Sequence, residues 1–440
     1  MRPENDNKPQ SSPGVTNRTT KYWGGDTVTE KYWDGKWTRE TRSTSYDASG
    51  CRVETVTAES SDYPAVTKSV MVYDFLGRVV SVTTPLGVTS NFYNGASDRV
   101  IRVSRTGSPD TLYVYDEQGN VTATALDVDG DGAIDHAGPD RITASSETYE
   151  EDFSNVWWRV TTGEVWAYTN SAASVTSSVT RVRLTGLGTD AYNGGILTAQ
   201  TETLDWRGNV TRVSTYTGAG AATVWAVTET PGSTQPAVQK TVAGHTVSMV
   251  SSTAVTNTYT FDGFGRQVSS TDGRGNTVVT AYNELGQVAY TEDAASNRTS
   301  YAYDASGRQS AVTPPLSNTV FTAYDSLGNV TAQWGGVYPV EYGYDTRNRK
   351  VSMKTFRVEN GNGDETLWLY DNATGLLTNK VYADGSRVSY TYTPDGKLAT
   401  RVWARGVETA YAYDALGQLA GVSYGGSAPD VAYTYDRLGR

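Results

Sequence analysis

The residues whose types and spacing could do chemistry are concentrated in one run, Asp127-Val128-Asp129-Gly130-Asp131-Gly132-Ala133-Ile134-Asp135. Carboxylates at positions one, three and five, glycine at six and a carboxylate at nine form the pattern of an EF-hand-type calcium loop. Calcium takes six to eight oxygens, and alternate residues of a tight loop deliver carboxylates and carbonyls to one centre. The carbonyl of Ala133 would be the ligand at position seven. Position twelve is Gly138 rather than Glu. Asp140 supplies the missing carboxylate if Gly138-Pro139 lets the chain swing back. The expected ligand set is therefore Asp127, Asp129, Asp131, Ala133, Asp135 and Asp140, with Ca2+ as the cofactor. The competing reading is a solvated acidic turn between strands.

Other chemistry is sparse. The chain has two histidines, His136 and His245, so a catalytic imidazole is restricted to these. Neither lies in a nucleophile or metal motif. There is no Gly-x-Ser-x-Gly, His-Glu-x-x-His or phosphate-binding loop. Gly273-Arg274-Gly275-Asn276 reads as a turn. The sequence therefore points away from an enzyme. A single cysteine, Cys51, excludes an intrachain disulfide framework. A net charge of −11 with no clustered Lys and Arg argues against a nucleic-acid partner. No apolar run approaches the roughly 20 residues of a membrane helix, and Met1 does not lead into a signal peptide.

The elements that must position any site come from a repeat. Tyr303-Asp304-Ala305-Ser306-Gly307-Arg308 returns as Tyr324-Asp325 to Asn329, Tyr413-Asp414 to Gln418, and Tyr435-Asp436 to Arg440. Earlier copies are Tyr73-Asp74 to Arg78 and Tyr115-Asp116 to Asn120. From Phe261 onward the leading residue falls at 261, 282, 303, 324, 344, 370, 392, 413 and 435, a period of about 21 residues that marks a repeat architecture. The aromatic ends a strand. Asp caps the turn with its carboxylate, and Gly takes the positive-φ position. A second turn follows half a repeat later, as at Asp272–Asn276, so one repeat is two short antiparallel strands. Pairs such as Tyr301-x-Tyr303 and Tyr411-x-Tyr413 place two rings on one face, which predicts ladders of aromatic side chains.

These Tyr-Asp-x-x-Gly-Arg repeats resemble the YD repeats of the Rhs family, whose shells are related to those of insecticidal toxin complexes and teneurins. The match is dense over 260–440 and recognisable over 40–125. The resemblance implies a spiral β-shell that encloses a passenger polypeptide. Geometry agrees, because twist accumulates with a fixed hand and open sheets beyond about 10 strands curl. Small and polar strand residues such as Gln309-Ser310-Ala311-Val312-Thr313 suit a hollow interior.

The fold class expected is all-β: a long antiparallel meander of YD-repeat hairpins coiling into a spiral, partial β-shell. Residues 1–20 read as disordered or linker, 21–125 as an N-terminal hairpin with YD repeats, 126–255 as degenerate repeats carrying the acidic loop, and 256–440 as regular repeats cut mid-repeat. The expected function is a shell segment that encapsulates or presents a downstream effector or toxin polypeptide, secreted or at the cell surface. The alternative is an extracellular adhesion module binding carbohydrate or a target-cell surface.

Overall fold

A computed structural model describes residues 3–6, 10–12, 15–23, 25–188, 190–205, 207–218, 222–357, 361–426 and 428–440. The described residues form no helix. Thirty-eight strands succeed one another among the described residues. The observed pairings are antiparallel and join chain neighbours almost throughout, which is the expected meander. Two of them skip a strand: Pro3–Asp6 pairs with Val15–Tyr22 past Gln10–Ser12, and Val175–Arg183 bypasses Ala191–Tyr192 to pair with Gly195–Leu204.

The Asp-x-x-Gly turn explains the hairpins. At Asp304 the backbone closes a tight turn, with Gly307 N–H donating to the Asp304 carbonyl at 2.9 Å and Asp304 N–H to the Arg308 carbonyl at 2.8 Å. Asp304 Oδ1 accepts the backbone N–H of Ser306 and of Arg308, each at 2.9 Å. Its Oδ2 accepts the Arg308 guanidinium Nε at 2.8 Å. Gly307 sits at φ 80°, the left-handed region that other residues enter at a cost. Asn plays the part of Arg at Asp325, where Asn329 Nδ2 donates to Oδ2 at 2.8 Å. The strand leaving this turn carries an irregularity: Tyr303 pairs with Gln309 but Ala302 with Ala311. The same shift recurs at Tyr282, Tyr324, Tyr392 and Tyr413, whereas the turns at Asp47, Asp152 and Asp205 keep a regular register. A bulge raises local right-handed twist, so each bulged repeat adds its own increment.

The tyrosines join repeats, but by a different device from the ring-on-ring ladder expected. The hydroxyl of Tyr303 donates to the Val288 carbonyl at 2.8 Å, and Tyr282, Tyr392 and Tyr413 do the same to Gln267, Leu377 and Leu398. Each bond spans 15 residues. The turn arginine of one repeat lies over the tyrosine of the next: Arg266 is 4.4 Å from the Tyr282 centroid, Arg78 4.4 Å from Tyr93 and Arg349 4.3 Å from Tyr370. A polar hydroxyl seeks an acceptor when half-buried, and a guanidinium favours an aromatic face over a second ring. Those preferences override simple ring stacking.

The chain divides into two compact units. Unit 2 comprises His136–Gly138 and Ile142–Thr319. Its apolar cluster is Val156, Trp158 and Val160, with Val179 against it. It holds a copy of the turn that the sequence hides: Asp152 Oδ1 accepts the N–H of Ser154 and Val156. Asn155 takes the positive φ at 57°, and the Trp158 indole replaces the arginine, donating to Asp152 Oδ2 at 3.0 Å. Unit 1 comprises Met1–Asp135, Pro139–Arg141 and Val320–Arg440, so it joins residues from both ends of the sequence. Within the stretch 1–20, Val15–Tyr22 is a strand paired with Thr27–Trp33, and Pro3–Asp6 and Gln10–Ser12 pair with it in turn. Val15 and Thr20 are buried there. Outside that cluster, buried hydrophobics are scattered along the strands, and most strand residues are half-buried.

Candidate functional site: an acidic loop at a docking rim

The loop 127–140 leaves the strand Val121–Asp127 and feeds Arg141–Glu151. Gly130 and Gly132 adopt φ 76° and 79°, which lets the loop fold back tightly. Asp127 is its hub: Oδ1 accepts Gly130 N–H at 2.8 Å and Oδ2 accepts Gly132 N–H at 2.9 Å. Asp140 closes it from the other side, taking Val128 N–H at 2.8 Å and Asp135 N–H at 2.9 Å. Carboxylate oxygens of Asp127, Asp129 and Asp140 lie within 4.8 Å of one another. Asp127 is 3% exposed and Asp140 0%.

Of the expected ligands, the structure thus gathers Asp127, Asp129 and Asp140, the last by the swing through Gly138-Pro139. Asp131 stands outside that set, with Oδ1 accepting Ala133 N–H at 2.8 Å. Asp135 also lies outside it, being held through its backbone N–H. Two near-fully buried carboxylates facing a third need compensation. Each carboxylate oxygen holding one N–H keeps a lone pair for a cation, so the donor set fits calcium. Desolvation raises the Asp129 carboxyl above its ordinary value, and the charges of Asp131, Asp140 and Asp127 push the same way against the backbone N–H of Asp131.

The positive charge at the loop comes from the last repeat. Arg437, 8% exposed, donates Nε to the Asp140 carbonyl at 2.6 Å and Nη2 to the Asp135 carbonyl at 3.1 Å. Burial lowers its pKa, with Asp140 and Asp135 opposing. Both of these bonds end on backbone carbonyls of the loop. Arg141 reaches the same region, donating to Gln418 Oε1 at 2.6 Å.

This docking is one of a series within unit 1. Asp34, in the hairpin turn after Thr27–Trp33, accepts the N–H and hydroxyl of Ser326 at 3.1 and 2.6 Å. Asp62 accepts Thr346 N–H at 2.8 Å, and the Tyr63 hydroxyl donates to Asp345 Oδ2 at 2.9 Å. Lys397 Nζ donates to the Gly107 carbonyl at 3.2 Å. One rim of the N-terminal hairpins therefore meets the YD-turn rim of the C-terminal repeats. A consistent chemistry runs through it. The turn Asp binds the N–H groups two and four residues on, which leaves the N–H one residue on pointing outward. At Ser326 and Thr346 that outward N–H is capped by a carboxylate from the opposing rim. Sequence reading missed this rim because its contacts are some 300 residues apart (Lys36 with the Tyr344 carbonyl spans 308) and Asp34 and Asp62 look like ordinary turn residues.

Of the two histidines, His136 belongs to the loop 127–140 itself and His245 to the strand His245–Val250. His136 packs edge-on against Trp166 at 4.8 Å, and His245 lies against Phe261 at 4.7 Å. No helix among the described residues is long and apolar enough to cross a membrane.

No protein-family model matches the chain, and no curated protein matches it. Among solved structures, the crystal structure of TcdB2-TccC3-TEV is similar over 96% of this chain and 27% of that chain, at 12% identity and a TM-score of 0.49. That of TcdB2-TccC3-Cdc42 is similar over 92% of this chain and 24% of that one, at 13% identity and a TM-score of 0.46. The chain spans about a quarter of the length of these two.

Proposed function

We propose that the chain is a wall segment of a YD-repeat β-shell, secreted or at the cell surface, that encapsulates or presents an effector polypeptide. The observation that carries the reading is the rim-to-rim docking in unit 1. Hairpins of unit 1 that meet rim to rim although about 300 residues apart support a coiled wall, and a sheet with half-buried faces is suited to be a thin one. Bulges in the regular repeats supply twist of one hand. The test is limited proteolysis of the whole natural polypeptide that carries this chain. An enclosed effector segment resists trypsin while the shell is intact and is cut once urea opens it. Digestion at the same rate in both states would overturn the reading.

We infer further that loop 127–140 holds a calcium ion through Asp127, Asp129 and Asp140. Bound there, calcium would neutralise the buried carboxylates and stiffen the loop that Arg437 grips. Calcium would thus tie the last repeat to the first coil. Calorimetric titration of the parent protein and of Asp129→Asn tests this. A saturable heat lost in the variant supports the site, and equal heats dispose of it.

A further inference from the structure

Each rim of the sheet is used once within unit 1, and its counterpart is left open. The second-turn rim of the N-terminal hairpins, with Asp34, Asp62 and Gly107, docks on the YD turns at 324–329, 344–349 and 392–397. Among the described residues, the YD turns of the N-terminal hairpins, at 46–51, 73–78 and 115–120, have no such covering. The second-turn loops of the C-terminal repeats, at 335–340, 381–387 and the described part of 424–431, are likewise uncovered among those residues.

Exposure separates the two classes of turn. Thr346, at the tip of a docked turn, is buried, and Leu327 and Leu416 are half-covered. At the open turn Phe75 is 90% exposed, with Leu76 beside it exposed too. The open turns keep the same recognition chemistry. Asp74 Oδ1 binds the N–H of Leu76 and Arg78, and Asp47 Oδ1 that of Ser49 and Cys51. The N–H of Phe75 and Ala48 then points outward, as those of Ser326 and Thr346 do before they are capped. The open loops at the other end offer what such turns take. Tyr338 is 79% exposed, with Val337 also exposed. Asp384 and Asp430 each commit Oδ1 to their own loop, to Ser386 and Tyr424 N–H at 2.9 Å.

We propose that a second copy of this chain docks its open loops at 335–340, 381–387 and 424–431 on the open YD turns at 46–51, 73–78 and 115–120. The occupant follows from continuity: the two open rims are of the same two kinds that already join inside the chain. Because the surfaces differ, the contact is heterologous and does not close at two copies. Each added chain presents a fresh open rim, so growth is head-to-tail.

The experiment is sedimentation equilibrium on the full chain over a concentration series. The expected weight-average mass rises through and beyond the dimer without a plateau. Two variants on exposed residues separate the rims: Phe75→Asp on the YD side, and Val337→Asp with Tyr338→Asp on the loop side. Circular dichroism checks that both fold, and Phe264→Asp, on an exposed turn of unit 2, is the control that associates like the parent. Each variant alone is expected to shift association at least tenfold to higher concentration. Their equimolar mixture is expected to form two-chain species and nothing larger, since one intact rim of each kind remains. A strictly monomeric parent, a plateau at the dimer, or association unchanged by Phe75→Asp would each overturn the proposal. The last outcome would assign association to strand edges instead.

Discussion

Replacing Asp345 with Ala tests the turn and the rim at once. Asp345 is 5% exposed. Its Oδ1 accepts the N–H of Arg347 and Arg349 at 2.9 Å each. Its Oδ2 takes the Arg349 guanidinium, with Nη2 at 2.7 Å, and the Tyr63 hydroxyl at 2.9 Å. Removing one partner of a buried ion pair costs about 3–5 kcal/mol, since the other charge is left uncompensated. Asp345→Ala should therefore lose at least about 3 kcal/mol. Tyr63→Phe removes one hydrogen bond to a charged group, about 1.5 kcal/mol, and keeps the ring that Arg347 and Arg349 approach at 4.9 and 5.4 Å. In a double-mutant cycle, Tyr63→Phe should cost little once Asp345 is Ala. Urea titration followed by tryptophan fluorescence measures all four proteins. The pH dependence follows from the sign of the shift. Burial alone would raise the Asp345 carboxyl, but the N–H and guanidinium of Arg349 and the Tyr63 hydroxyl outweigh it and hold it below its ordinary value. The stabilisation is then complete above the unfolded value and is lost as pH falls through the lower folded one. The cost of Asp345→Ala should be flat above about pH 5 and shrink below about pH 4. Additive effects of the two substitutions, or a cost that is unchanged in acid, would refute the rim contact as drawn.

Other outcomes follow from the same geometry. Gly307→Val forces a β-branched residue to φ 80°, and should lower stability by about 1–2 kcal/mol in the same titration. Calcium at a hundredfold excess over its dissociation constant should stabilise unit 1 by about 2.7 kcal/mol, seen as a rise in melting temperature that Asp129→Asn abolishes. Arg437→Ala should speed hydrogen exchange at Val128 and Asp135, whose N–H groups Asp140 holds, and leave exchange at Ser306 unchanged. Protection equal to the parent at Val128 would deny Arg437 its role.

The hairpins were legible because the period is local. Tyr, Asp and Gly each have one job within six residues, and Asp304 and Gly307 do what their types predict. The swing that brings Asp140 beside Asp127 was also legible, since Gly138-Pro139 invites it. The role of the arginine at the sixth position was not legible: Arg308 is the ion-pair partner of Asp304 within its own turn. The turn at Asp152 escaped notice because Asn155 and Trp158 replace glycine and arginine by other means. The rim was illegible for a deeper reason. Its contacts combine a backbone N–H with a hydroxyl at Ser326 and Thr346, and small hydroxyl residues in a turn carry no sign of a distant partner. The capping carboxylates Asp34 and Asp62 gain their meaning from residues some 290 positions away.

The central claim is tested most directly by electron cryomicroscopy of the whole natural polypeptide that contains this chain. The account predicts a curved wall one sheet thick, with Asp34 against Ser326 and Asp62 against Thr346, around density for another segment of polypeptide. A filled sandwich, or a flat sheet with those rims apart, would contradict it.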